Sequence, residues 1–347
     1  MSYHFVAKTG DHTQIRGYFE PYRGLRCFYR QNSFILSGYF SQGDIMEKPF
    51  ILHMLTTAKN LSPFDVNMAM DAGWVSAVPY INVEPSEVQG LVQDAIFSRS
   101  AKNLKRTGIF IGGRDTKQAM DMLKIAKRSM VPPFEVSVFA DPSGAFTTAA
   151  GMVAAVEREL IAKFNTTLEG KNILALGGTG PVGQAAAVIA ARTGAHVRII
   201  GRQLERAQSV ADLCSNEFGE GKITIFAGAD ADKAEYIKTA DVVFATGAAG
   251  IELLSAQLIA SAPQLKVAAD VNAVPPAGIA GVDAFHNGTP IAGSISGAVG
   301  IGALAIGNVK YQAQNLLLKK MLNSEKPVYL HFEHAFEVAR EYIKANP

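Results

Sequence analysis

The chain predicts a two-domain α/β fold: a Rossmann-like parallel-sheet nucleotide domain, plus a smaller α/β domain joined to it by long helices. Three observations carry this. Short β-prone runs alternate with helix-period segments over most of the 347 residues. A G-x-G-x-x-G lies where one of those runs hands over to a small-residue helix. Two long apolar helices flank the glycine-bearing half.

In chain order, residues 50–55 read as a strand. Residues 63–73 read as a helix, with Ser62 as N-cap, Pro63 at its first position and Gly73 closing it. A second βα unit covers 77–80 and 85–97. A third covers strand 107–111, the Gly112-Gly113 turn and helix 116–130. Residues 135–141 form a fourth strand. Residues 147–164 form a bridging helix, with Val153, Val156, Leu160, Ile161 and Phe164 on one face. The nucleotide half then continues through strands at 173–176, 195–200, 223–226, 241–246 and 267–271 and ends near Gly300. Helix 301–322 returns toward the first domain as a second bridge. The domains are therefore 46–150 completed by 301–347, and 151–300. The crevice between them is the natural reaction site.

In the run Gly177-Gly178-Thr179-Gly180-Pro181-Val182-Gly183, Gly178 permits the tight turn. Gly180 lets backbone N–H groups approach a pyrophosphate, and Gly183 lets the helix pack close to the strand. Thr179, Pro181 and Val182 share that loop. At the end of the next strand, where an NAD-specific protein places an acid on the ribose 2′-hydroxyl, the chain has Gly201-Arg202-Gln203. Arg202, helped by Arg206 one turn on, can pair with a 2′-phosphate, which favours NADP over NAD. Thr246, Gly247 and Ala248, in the small-residue run after the 241–246 strand, let the ribose or nicotinamide approach the backbone.

Composition narrows the class. An apolar content of 48% supports a large core, and a net charge of +2 without a Lys/Arg block gives no reason to expect nucleic acid or a membrane surface. Two cysteines, Cys27 and Cys214, make neither a disulfide framework nor a zinc site, so a reducing compartment, by default the cytoplasm, is expected. Residues 1–45 mix arginines and aromatics without a clear period. They read either as upstream sequence before a natural start at Met46 or as an arm that packs on a neighbouring subunit.

From Met46 onward the chain resembles the NAD(P)-dependent methylene-tetrahydromethanopterin dehydrogenases of methylotrophic bacteria, which are related to methylene-tetrahydrofolate dehydrogenases. The blocks that carry the resemblance are Ser62-Pro-Phe-Asp-Val66 with Asp71, Arg106-Thr-Gly-Ile-Phe-Ile-Gly-Gly113, Pro132-Pro-Phe-Glu-Val136 and Thr147-Thr-Ala-Ala-Gly151. The glycine loop, Ala269-Asp-Val-Asn-Ala-Val-Pro-Pro276 and Gly300-Ile-Gly-Ala-Leu-Ala-Ile-Gly-Asn-Val-Lys310 complete them. The resemblance implies a tetrahydropterin site in the smaller domain and hydride transfer from the methylene bridge to NADP, with NAD also used in some members. It also implies a homo-oligomer. The methenyl product is a cation delocalised over two nitrogens, so no acid or base is needed and catalysis is mostly positioning.

On that reading Asp65 and Lys310 are the positioning candidates. Asp65 would meet the amino-pyrimidine edge of the pterin, and Lys310 its carbonyl or an acidic side chain. Asp71, Thr147, Thr148 and Asn272 join them as substrate contacts, Asn272 also facing the nicotinamide. Thr147 and Thr148 could equally cap the bridging helix, and Asn272 could simply form a turn. His331, Glu333 and His334 read as a solvated C-terminal helix rather than a metal site. The Tyr-x-x-x-Lys pattern of bifunctional folate enzymes does not occur, so no cyclohydrolase activity is expected. Two other readings stay open: another NADP-dependent dehydrogenase of similar architecture, and a non-catalytic NADP-binding redox sensor.

Overall fold

The computed structural model describes residues 28–30, 33–35 and 48–346. The expectations for residues 1–45 and a start at Met46 lie outside the described residues, apart from an antiparallel pair, β1 (Phe28–Arg30) and β2 (Ser33–Ile35). Residues 48–346 form one compact unit containing two sheets.

The first half runs β3 (Ile51–Leu55), α1 (Pro63–Asp71), β4 (Ser76–Tyr80), α2 (Val88–Phe97), β5 (Thr107–Ile111), α3 (Thr116–Arg128), β6 (Ser137–Ala140) and α4 (Ala145–Phe164). The second runs β7 (Asn172–Leu176), α5 (Pro181–Arg192), β8 (His196–Gly201), α6 (Leu204–Leu213), β9 (Ile225–Ala229), α7 (Lys233–Tyr236), β10 (Val242–Ala245), α8 (Ala256–Ala260) and β11 (Val267–Asp270). It continues with β12 (Asn287–Pro290), β13 (Val299–Ile301), α9 (Ala303–Asn323), β14 (Tyr329–Leu330) and α10 (Phe332–Ala345).

The first sheet has the order β14-β6-β5-β3-β4 and is parallel throughout. The second has the order β12-β13-β11-β10-β7-β8-β9, parallel except for the edge strand β12. Counted from β7, its parallel strands follow the doubly wound order 3-2-1-4-5-6, which reverses between β7 and β10. The first sheet reverses between β3 and β5. At such switch points the connections leave on opposite faces and a crevice opens at the carboxyl ends of the strands.

Strands β5, β6, β10 and β11 are buried along their whole length, as sheets covered on both faces require. Helix α4 packs against α5, α9, α10 and β11. Its run of small residues suits that crowding, and thirteen of its twenty residues are buried. The predicted one-face pattern is therefore too narrow, and it includes one error: Ile161 is 55% exposed. Cys214 is a buried free thiol, which burial pushes up to about 12. Among the described residues no helix is long and apolar enough to cross a membrane.

Candidate active site

At the carboxyl end of β7 the chain must turn sharply into α5. Gly177 takes the left-handed conformation that the turn needs (φ 67°), and a Cβ there would press on the backbone of Gly247. The tight turn is thus made by Gly177 rather than by Gly178, whose role is packing on Ala175. A Cβ on Gly183 would overlap Gly178 and come within 2.7 Å of Thr246 Oγ1, so this glycine sets the helix-to-strand distance. A Cβ on Gly180 meets protein only at 3.7 Å or beyond. By helix geometry the amides of Val182 and Gly183, at the start of α5, have no intrahelical acceptor.

These differences separate two substitutions. Gly183→Ala overpacks the turn and is expected to cost about 1–3 kcal/mol of stability together with nucleotide binding. Gly180→Ala should leave the melting temperature nearly unchanged while weakening nucleotide binding about tenfold or more. Thermal melts with and without nucleotide check both.

Three strand ends complete this edge. Gly201, closing β8, sits against the Thr179 methyl, a Cβ there lying 3.1 Å from Cγ2. Arg202 follows directly, so it stands beside the glycine loop. Arg202 and Arg206 are both exposed. Thr246, after β10, is 8% exposed and donates its hydroxyl to the Leu176 carbonyl at 3.1 Å, which ties the ends of β7 and β10 together. Gly247 packs beneath Gly177, while Ala248 is exposed. A glycine cradle, a helix N-terminus and an exposed arginine at the second strand end fit a dinucleotide, with Arg202 suited to a 2′-phosphate.

Asn272 is committed to its turn. Its Oδ1 accepts from Val274 N at 2.9 Å and Gly250 N at 3.3 Å, and its Nδ2 donates to Pro276 O at 2.9 Å. Beneath it the Asp270 carboxylate accepts from the amides of Asn272, Gly278 and Ile279. Burial raises the Asp270 pKa, and those three donors pull it back. Asn272 therefore acts first as a turn former, its side chain already spent on backbone groups.

The other cluster gathers at the carboxyl edge of the first sheet. Lys310, on α9, donates to Gln314 Oε1 at 2.9 Å, and Gln314 Nε2 donates to Asp65 Oδ1 at 2.8 Å. Asp65 is only 2% exposed, and its Oδ2 is buried with no hydrogen-bond partner. Its pKa is raised to about 7, first by burial and then by the charge of Asp141, against the pull of Gln314 and Lys310. Asp141, directly after β6, is fully buried and accepts from Phe146 N at 2.9 Å, Thr147 N at 3.2 Å and Thr147 Oγ1 at 2.6 Å. Burial raises its pKa as well. Burial likewise lowers that of Lys310, while the two carboxylates oppose the shift. The Lys310 ammonium lies 3.2 Å from the centre of the Phe64 ring.

Two glycines of α4 and its approach bring Lys310 here. A Cβ on Gly151 would lie 3.1 Å from both Ile306 O and Lys310 N, so only glycine lets α9 come so close. A Cβ on Gly144 would lie 3.0 Å from Lys310 Cε. Ser143 and Gly144 both have positive φ, 53° and 66°, and Ser143 Oγ reaches back to the Gly113 carbonyl at 2.8 Å.

The two carboxyl edges meet at one joint. Thr116, the first residue of α3 and 3% exposed, donates its hydroxyl to Gln184 Oε1 at 2.6 Å. Gln184 Nε2 donates in turn to the carbonyl of Thr179 in the glycine loop at 2.9 Å. Thr116 is three positions, about 10 Å of chain, from Gly113, which Ser143 ties to the Lys310 side. The glycine loop and the Lys310 cluster are thus linked through the stretch 113–116.

The structure brings Asp65 and Lys310 together. Asp71 is not with them: it ends α1, exposed, six residues or about 9 Å of helix rise from Asp65. Thr147 is corrected from a cleft residue to a buried support, since it is 0% exposed and its hydroxyl serves Asp141. Thr148, partly buried, donates to the Gly144 carbonyl at 2.6 Å. Neither threonine is the N-cap of α4. That position is Gly144, and Asp141 supplies the capping acceptor from three residues further back. His331 and His334 are not solvated: both are partly buried, their rings 4.7 Å apart, and burial drives the His331 pKa down to about 3. Asp141, Gln314, Thr116 and Gln184 were missed. Signals existed: an acid closing a parallel strand, a Gln four residues after Lys310, and a lone polar residue opening an alanine-rich helix.

A family model described as "Methylene-tetrahydromethanopterin dehydrogenase, N-terminal" matches residues 63–143, the stretch that holds Asp65 and Asp141. The NAD(P)-dependent methylenetetrahydromethanopterin dehydrogenase of Methylorubrum extorquens is 47% identical over 292 residues, covering 84% of this chain and 98% of that protein. The chain belongs to the methylene-tetrahydromethanopterin dehydrogenase family. A second protein of Methylorubrum extorquens, named bifunctional protein MdtA, is 34% identical over 84% of this chain and 98% of its own length. Among solved structures, a shikimate 5-dehydrogenase of Listeria monocytogenes in complex with shikimate and NAD is 15% identical. It covers 84% of this chain and 96% of its own, with a TM-score of 0.48. As a member of the dehydrogenase family, the chain carries the family model's matched segment in its first sheet and its glycine loop in the second.

Proposed function

We propose that this chain oxidises methylene-tetrahydromethanopterin to the methenyl cation with NAD(P) as hydride acceptor, in one-carbon metabolism. The observation that carries this reading is the Thr116–Gln184 link between a dinucleotide cradle on one carboxyl edge and the edge that holds the Asp65–Gln314–Lys310 chain. The named activity of the 47% identical relative supports it. When bound, the oxidised nicotinamide supplies the hydride acceptor. The protein's task is then to present the pterin at the right distance and to favour positive charge as it develops.

Each residue has a part on this reading. Asp65 Oδ2, buried without a donor, is where an amino-pyrimidine N–H would be received. Lys310 holds a pterin carbonyl, and Gln314 fixes both side chains. Residues 46–150 with 301–347 form the pterin domain, and 151–300 the nucleotide domain. Assembly as a homo-oligomer and a cytoplasmic location belong to the same proposal.

The test is a spectrophotometric assay of purified protein with methylene-tetrahydromethanopterin or methylene-tetrahydrofolate, each with NADP and with NAD. Turnover of the methanopterin form is expected. Nucleotide binding without turnover of either carrier would support a redox sensor instead. Replacing Arg202 by alanine should weaken NADP about tenfold or more, for one charge-assisted bond to phosphate, and leave NAD nearly unchanged. Equal losses would remove the arginine from this role.

A further inference from the structure

The joint between the two sheet edges contains more than packing. Gln184 is the fourth residue of α5, and its backbone N–H already closes the first turn on Gly180 O at 2.9 Å. Its side chain is then free to reach back along the loop, where Nε2 takes the Thr179 carbonyl and Oε1 takes the Thr116 hydroxyl. The amide is thus satisfied at both ends by groups from opposite sides of the crevice. Thr116 is almost fully buried, so water does not compete for the bond. Thr116 also opens α3, three positions after Gly113 of the turn at the switch point of the first sheet.

We propose that Thr116 and Gln184 are positioning residues that couple the glycine loop to the carrier-binding edge, so that a nucleotide seated on the loop also orders the start of α3. The inference rests on the reading that the loop holds NAD(P). The Thr179 carbonyl and the Gly180 N–H belong to one peptide plane. That N–H donates to the Gly177 carbonyl at 3.3 Å, so the Gln184 bond holds from the other side the plane that closes the loop turn. The same side chain ties that plane to Thr116, three residues from Gly113. Any shift of the loop is passed to the edge where the pterin would sit. A misplacement of about 1 Å between reacting carbons is enough to slow hydride transfer markedly.

The test compares the full-length parent with Thr116→Val, Thr116→Ser, Gln184→Leu and the Thr116→Val/Gln184→Leu double variant. Thr116→Val touches neither ligand. It is expected to lower kcat about tenfold while the KM values for nucleotide and carrier stay within about twofold, and Thr116→Ser, which keeps the hydroxyl, should restore the rate. The double variant should be no slower than Gln184→Leu alone, since one bond cannot be lost twice. A second readout needs no turnover. Addition of NADP should slow amide hydrogen exchange at residues 116–119 in the parent and in Thr116→Ser, and leave exchange there unchanged in Thr116→Val. If Thr116→Val keeps full kcat, if Thr116→Ser fails to rescue it, or if exchange at 116–119 responds to NADP equally in all variants, the coupling is refuted. A parent without turnover would overturn the functional reading, and the exchange measurement would still decide this one.

Discussion

Replacing Lys310 by alanine is expected to lower kcat/KM for the carrier by about a hundredfold, with nucleotide affinity unchanged within about twofold. The ammonium is the cation that both Asp65 and Asp141 feel, and it is held by Gln314 Oε1 and by the face of Phe64. On the proposed reading, deleting it removes a charge-assisted contact to the pterin, worth roughly 1.5–3 kcal/mol. It also leaves Asp65 and Asp141 without their nearby positive charge. Both would then hold protons more tightly, and the electrostatics that favour a developing cation would weaken further. Lys310→Arg should rescue poorly, because the fork would meet Gly144, where Lys310 Cε already stands 3.0 Å from the position of a Cβ. Steady-state kinetics at saturating nucleotide, with nucleotide titration as the folding control, check this. A variant that keeps more than half of kcat/KM would remove Lys310 from the site.

The parts legible in the sequence were those with a local cause. The glycine loop declares itself because a strand, a turn and a helix follow one another within eleven residues. Strand β5 was placed residue for residue at 107–111, where an apolar run ends at two glycines. Lys310 and Asp65, which the structure links through Gln314, are singled out by the family blocks rather than by any pattern of their own. What stayed hidden is tertiary. The Gln314–Asp65 bond joins positions 249 residues apart, and no periodicity reports such a pair. The Thr116–Gln184 bond spans 68 residues and two sheets. Strand β14 has two residues, too few to show alternation, and edge strand β12 contains Gly288 and Pro290, which read as a turn. The assignment of Gly178 as the turn residue failed for a finer reason. The glycines of this loop have different duties, and only the backbone shows that Gly177 is the one at positive φ.

Asp65 makes both stability and turnover depend on pH in a way that Asp65→Asn should erase. The carboxyl is raised to about 7, with burial as the main cause and Asp141 second, whereas in the unfolded chain it titrates near about 3.9. Folding therefore takes up a proton at Asp65 between these two values. Its stabilising contribution is complete below about pH 4, is lost as pH rises through about 7, and is constant above that. Asparagine keeps the acceptor for Gln314 Nε2 and cannot ionise. The parent should thus lose stability relative to Asp65→Asn as pH rises, by an amount on the order of 2–3 kcal/mol between pH 5 and pH 8, which denaturant melts at pH 5, 6, 7 and 8 would read. Turnover runs the opposite way. Hydride departure leaves a cation, and only the ionised carboxylate attracts it, so log kcat/KM for oxidation should rise with pH to a plateau above about 7. Asp65→Asn should be flat, about tenfold below that plateau, because it is locked in the neutral form. On the proposed reading, a carboxyl that is least comfortable in the fold when charged is the one whose charge the product needs, and this opposition would separate a site residue from an ordinary buried acid. If Asp65→Asn reproduced the parent's pH profile, the titrating group would lie elsewhere.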